Sequence, residues 1–182
     1  MSRNYKFHNQ QNPYFITFSV VNWIDVFTRI VYKEILLDSI KYCIANKGLE
    51  VYAWCIMSNH VHMVIGTRQL PMEAIVRDMK KHTSKEIVKA IRENPQESRQ
   101  KWMIWMFEQE GAYNPANQYH QFWQQGVHPI ELFSNEVMQQ KVDYIHHNPV
   151  KAGWVSEPQH YLYSSARDYA GEKGLLDITL MV

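Results

Sequence analysis

Two cysteines in 182 residues, Cys43 and Cys55, are too few for a disulfide framework, so a reducing compartment is expected. No apolar run approaches the roughly 20 residues of a membrane-spanning helix. The polar stretch from Met1 to Gln10 also lacks the apolar segment of a secretion signal. The expectation is a cytoplasmic, soluble protein with no membrane attachment. Charge of one sign is missing as well, since 19 basic and 18 acidic residues leave a net charge of +1. That argues against a protein that coats nucleic acid by bulk charge, though not against one whose positive charge is gathered on one face. The sequence has no internal repeat, low-complexity tract or clear linker, and its length fits one domain over residues 1–182.

Aromatic residues, by contrast, are plentiful: six Trp, eleven Tyr and seven Phe can build a dense core or surfaces on which bases stack. The β-branched and aromatic run Tyr14 to Val20 predicts a first strand. Apolar residues at Val31, Ile35, Leu36, Ile40 and Ile44 predict a helix over 30–45, stopped at Lys47-Gly48. Val51 to Met57 and His60 to Ile65 read as an antiparallel strand pair joined by Ser58-Asn59. Pro71 opens a long helix to about Arg92. Between Gln96 and Gln121 the pattern is irregular: Trp102, Trp105 and Met106 fit one face of a short helix, and Gly111 to Gln118 reads as a loop. Phe122-Trp123 is expected in a further strand. Ser134 is the expected N-cap of a helix that ends at Asn148, before Pro149, and a short helix is expected around Ser164 to Tyr169. This order predicts an α+β, ferredoxin-like (RRM-like) antiparallel sheet with helices packed on one face.

Three patterns carry chemistry. His60 and His62 are two apart in a strand, so both imidazoles point to one side and can share a metal ion. Without context, two histidines on the polar face of a half-exposed strand are the more ordinary outcome. Tyr144 and Asn148 are four apart on a helix and can aim a hydroxyl nucleophile and a neutral oxygen ligand, suited to Mg2+ or Mn2+, at one point. Alone, they also read as a rim tyrosine and a helix stop. Taken together, the pairs make a complete phosphoryl-transfer site with an uncharged donor set. The third pattern is a basic stripe, Arg77, Lys81, Lys85 and Lys89 with Lys80 beside it, which can follow a phosphate backbone or simply solvate a helix. The aromatic group Trp102, Trp105, Phe107, Tyr119, Phe122 and Trp123 is expected to be core for the most part.

These pieces, in this order, resemble the REP-associated tyrosine transposases, relatives of the small single-tyrosine transposases. The resemblance rests on Met57 to His62, on Tyr144 to Gly153, and on Phe122 to Gly126. It is extended by Tyr163 to Arg167, Tyr14 to Phe18, and Phe27 to Arg29. It implies a ferredoxin-like fold and metal-dependent cleavage of single-stranded, hairpin-containing DNA of the repetitive extragenic palindrome type. It also implies His60, His62 and Asn148 as ligands of Mg2+ or Mn2+, Tyr144 as nucleophile, and a 5′-phosphotyrosine intermediate. Relatives act as homodimers or alone, so both states stay open. Residues 96–121 are longer than in the smallest relatives and are expected to be a family-variable insertion. Two alternatives stand beside this reading. One is a zinc or binuclear hydrolase, disfavoured because barrels of that kind need about 250 residues. The other is a catalytically silent protein that binds hairpin DNA in regulation.

Overall fold

The computed structural model describes residues 6–113 and 119–181. Most of the loop expected at Gly111 to Gln118 therefore lies outside the described residues. Strand β1 (Tyr14–Ser19) leads through two short 3-10 turns, Val21–Trp23 and Val26–Thr28, into helix α1 (Ile30–Lys47). Then follow β2 (Leu49–Ile56), β3 (His60–Thr67), α2 (Met72–Glu93), α3 (Gln100–Ala112), β4 (Ile130–Glu131), α4 (Asn135–Lys151) and α5 (Ala166–Tyr169). The sheet is antiparallel in the order β2-β3-β1-β4, the ferredoxin-like arrangement.

Alternation along the strands sets the two faces. Tyr14, Ile16 and Phe18 of β1, with Val61, Met63 and Ile65 of β3, pack against Leu36 and Ile40 of α1 and Ile75, Met79 and Ile87 of α2. Phe15, Ala53, Cys55 and Val64 face the other way and meet Val142 and Ile145 of α4. A bulge between Val51 and Ala53 lets β2 change face, so that Cys55 stands opposite His62. Thus α1 and α2 share one face as the periodicity predicts, whereas α4 covers the opposite face. The reason is chemical: this face of the β1–β3 pair is only part apolar, and α4 meets it through Val142 and Ile145, with His146 and Pro149 also buried. Burying Val142 and Ile145 contributes about 2 kcal/mol each.

Several sequence expectations shift. Helix α4 starts as predicted, with Ser134 Oγ accepting from Val137 N at 3.3 Å. It runs on through Pro149 to Lys151, because the missing N–H falls in the final turn, where the carbonyl of Asn148 still accepts from Ala152. Phe122-Trp123 is core rather than strand: Trp123 makes a single bridge to Val20, and β4 forms seven residues later. Helix α3 buries Met103, Phe107 and Gly111, leaving Trp102 and Trp105 exposed, since a spacing of four defines its inner stripe. A Cβ on Gly111 would lie 2.6 Å from the Cα of His120, so only glycine admits this approach.

The segment that follows α2 is bolted to the sheet domain at Glu97. Its carboxylate has no exposed surface and accepts from Arg29 Nε at 2.6 Å and Arg99 Nε at 3.1 Å. Burial acts to raise this carboxyl, but the bonds from Arg99 and Arg29 outweigh it and hold it below the ordinary value. Glu97→Ala is expected to lower the unfolding free energy at pH 7 by about 2–4 kcal/mol, measured by urea titration. Because the folded carboxyl is depressed, the wild-type contribution is complete above the ordinary carboxylate value of about 4.3. It is expected to vanish as pH falls through the folded value, so the two proteins converge in acid.

Candidate active site

The sheet face covered by α4 ends in a polar corner. Ser19 pairs with His60 and Thr17 with His62 across β1 and β3, which places both imidazoles on that face beside Phe15 and Cys55. The two rings meet edge to face at 4.7 Å between centroids. Tyr144 reaches the same corner from α4, with its ring 5.2 Å from His62 and 5.9 Å from Phe15. Tyr144 remains 41% exposed, so the phenol can meet a large substrate.

Hydrogen bonds fix how the imidazoles present their nitrogens. The Asn59 amide donates from Nδ2 to Asp25 Oδ1 at 2.8 Å and to the Trp23 carbonyl at 3.1 Å. Its Oδ1 therefore faces His60 Nδ1 at 2.7 Å, which makes Nδ1 the protonated nitrogen and leaves the lone pair on Nε2. Thr17 Oγ1 lies 2.7 Å from His62 Nδ1, while His62 Nε2 is buried without a hydrogen-bond partner. Burial, then the neighbouring His60 and Lys141, push His62 down to about 3; burial also lowers His60. Both rings are thus neutral at pH 7, the state in which imidazole ligates a metal.

Asn148 follows Tyr144 by one turn of α4. Its Nδ2 donates to the Tyr144 carbonyl at 2.7 Å, leaving Oδ1 as the end available to a ligand. The structure brings His60, His62 and Tyr144 into ring contact; Asn148 joins them through the helix rather than by direct contact. Among the described residues no group of three or more His, Cys, Asp and Glu is placed so that it could hold a metal ion. The groups that meet at this corner, two imidazoles and a phenol, are uncharged.

Two cations that sequence reasoning passed over complete the corner. Lys141 Nζ stands 4.8 Å from the Phe15 ring and 5.8 Å from that of Tyr144, and Lys151 Nζ stands 5.7 Å from Tyr144. Their signal was present: 141, 144, 148 and 151 repeat at helical spacing and share one face of α4. Thr17, Asn59 and Asp25 were also missed, for they act only through contacts between strands and loops.

The basic stripe fares differently. Lys80 does not offer its charge to a partner molecule: its ammonium donates to the carbonyls of Gln124 at 3.0 Å and Gly126 at 2.8 Å, and burial pushes it down to about 8. Arg77 is exposed but ion-paired with Asp78 at 3.0 Å. Lys81, Lys85 and Lys89 are exposed, yet α2 lies on the sheet face opposite the imidazoles. Of the aromatic group, Phe107, Phe122 and Trp123 are core, whereas Trp102, Trp105 and Tyr119 are exposed.

Comparison with known proteins adds two findings. A family model described as "Transposase IS200 like" matches residues 10–110, just over half the chain, including both histidines and stopping before Tyr144. A solved structure of a REP-associated tyrosine transposase bound to a REP hairpin has the same fold: TM-score 0.67, 19% identity, covering 100% of this chain and 95% of that one. A crystal structure from Deinococcus radiodurans, provisionally assigned as a transposase, gives TM-score 0.44 and 18% identity over 80% of this chain and 95% of that one, too distant to weigh. No curated protein matches.

The depressed His62 has a measurable consequence in metal-free protein. Its folded value, about 3, lies below the ordinary histidine value. The unfolded chain therefore binds more protons between roughly pH 3 and 6.5, and stability falls as pH falls through that window. Replacing His62 by Leu is expected to flatten the decline by up to about 1.4 kcal/mol per pH unit, read from urea midpoints at several pH values. An unchanged slope would mean that His62 is solvated.

Proposed function

The chain belongs to the IS200-like transposase family, and from that premise we propose that it cleaves and rejoins single-stranded DNA with Tyr144 as nucleophile. The observation that carries this reading is the His62 ring, whose Nε2 is buried and unpartnered while the ring touches both His60 and Tyr144. An orphaned imidazole nitrogen beside a second metal-ready imidazole fits a divalent cation. His60 and His62 would hold it through Nε2, with Asn148 Oδ1 as third donor, and the hard amide oxygen favours Mg2+ or Mn2+. When bound, such an ion supplies Lewis-acid polarisation of a phosphate oxygen. Because the donor set is neutral, the compensating negative charge comes from the DNA, and affinity for the ion alone is weak.

The residues of the chain do the rest. Lys141 and Lys151 flank the phenol with positive charge, where they attract the phosphate and stabilise charge that develops on it. Tyr144 Oη bonds to phosphorus as the bond from phosphorus to the upstream 3′-oxygen breaks. The phenolic proton ends on that oxygen, leaving a free 3′-hydroxyl and a 5′-phosphotyrosine. Attack by another 3′-hydroxyl reverses the step and joins strands, so phosphodiester energy is conserved and ATP is not required. The shared fold with a hairpin-bound structure supports DNA hairpins of the repetitive palindromic type as the substrate class. The α2 cations Arg77, Lys81, Lys85 and Lys89, on the far layer, are assigned a supporting contact with the duplex stem.

Incubation with labelled hairpin oligonucleotides bearing single-stranded flanks and Mn2+ is expected to yield a covalent adduct that survives denaturing electrophoresis. Tyr144→Phe should abolish the adduct, and His60→Ala or His62→Ala should reduce it at least 100-fold. A protein that shifts the hairpin on a native gel but never forms the adduct would instead be a silent DNA-binding regulator.

A further inference from the structure

The turn between β1 and α1 holds two consecutive non-glycine residues in the left-handed region: Asn22 at φ 53° and Trp23 at φ 54°. Asparagine visits that region readily; for a residue as bulky as tryptophan it is a costly outlier, of the kind that concentrates at binding and catalytic sites. Packing does not explain it, because Trp23 is 55% exposed. What the strained backbone achieves is placement: the indole stands edge to face with His60, centroids 5.5 Å apart, at the rim of the site.

The surroundings hold the turn in this shape. Val21 N donates to the Phe122 carbonyl at 2.9 Å, and Asn22 Nδ2 donates to Glu110 Oε1 at 2.9 Å. Asn59 Nδ2 donates to the Trp23 carbonyl, and Arg99 Nη1 to that of Asp25 at 2.9 Å. Three of these four anchors (Arg99, Glu110 and Phe122) come from α3 and the residues flanking it. Helix α3 and its flanks thus act as a clamp on the loop that carries Trp23.

Resting on the DNA-cleavage reading above, we propose that Trp23 is a stacking shelf for the unpaired nucleobase next to the scissile phosphate. A base that is not in a duplex exposes its π face, and an exposed indole binds that face whatever the base. Base-paired nucleotides keep their faces covered by neighbours. The shelf therefore selects single-stranded over double-stranded DNA at the point of cleavage, and its contact with His60 places the stacked base within one nucleotide of the metal ligands. The occupant is a base in a flexible single strand, not a protein surface, because the apolar area offered is one ring bordered by polar and charged groups.

The test compares binding of a fluorescein-labelled twelve-nucleotide thymidine strand with binding of an equally long abasic strand, by anisotropy, using the full chain. Wild type is expected to bind the thymidine strand about tenfold more tightly, the size of one base–aromatic stack. Trp23→Ala and Trp23→Leu should bind both strands alike, and Trp23→Phe should regain most of the preference. Retention of the wild-type preference in Trp23→Ala or Trp23→Leu would overturn the shelf while leaving the DNA reading intact. Equal binding of both strands by wild type would overturn it too. Failure of wild type to bind either strand would instead remove the DNA reading on which the shelf rests.

Discussion

The docking of helix α4 on the second face of the sheet is the contact on which the site depends. Val142 and Ile145 supply its apolar side, packing with Phe15, Ala53, Cys55 and Val64. His146 supplies a polar lock, with Nε2 2.8 Å from Ser165 Oγ, which also receives the Trp54 N–H at 2.9 Å. That lock is buried, and burial pushes His146 down to about 4, so the imidazole stays neutral and the contact does not titrate near pH 7. With 142, 145 and 146 facing the sheet, helical geometry turns 141, 144, 148 and 151 toward the imidazole corner. Tyr144 meets His62 because the residues next to it are anchored.

A second constraint is electrostatic. The site gathers neutral imidazoles, a phenol and an amide, then sets two lysines nearby, and among the described residues no group of three or more His, Cys, Asp and Glu that could hold a metal ion lies there. Under the proposed function, this reconciles a chain of net charge +1 with a substrate as anionic as DNA. On the proposed reading positive charge is needed where the phosphate reacts, and two ammonium groups at about 6 Å from the phenol ring act more strongly there than a larger charge spread over the surface.

Much of this arrangement was legible in the sequence, and the parts that were not share a cause. Strand period and helix period located β1, β2, β3, α1, α2 and the start of α4, and period two put His60 and His62 on one side. Which face of the sheet α4 would cover could not be read from its own pattern, since both faces of the strands carry apolar residues. Lys80 shows the same limit: its spacing matches the exposed stripe, yet its ammonium is drawn onto the carbonyls of Gln124 and Gly126, a contact 44 to 46 residues away. Residues 96–121 were legible only as an irregular stretch, and the hold of Glu97, Arg99 and Glu110 on the β1–α1 connection is made across the fold. Long-range polar contacts leave no periodic trace.

The most direct measurement is the anomalous diffraction of crystals soaked with Mn2+ and a short single-stranded oligonucleotide. One manganese peak is expected within about 2.3 Å of Nε2 of both His60 and His62, beside Tyr144, and weaker or missing without the oligonucleotide. A peak bound elsewhere, or bound fully without DNA, would contradict a neutral imidazole pair completed by the substrate.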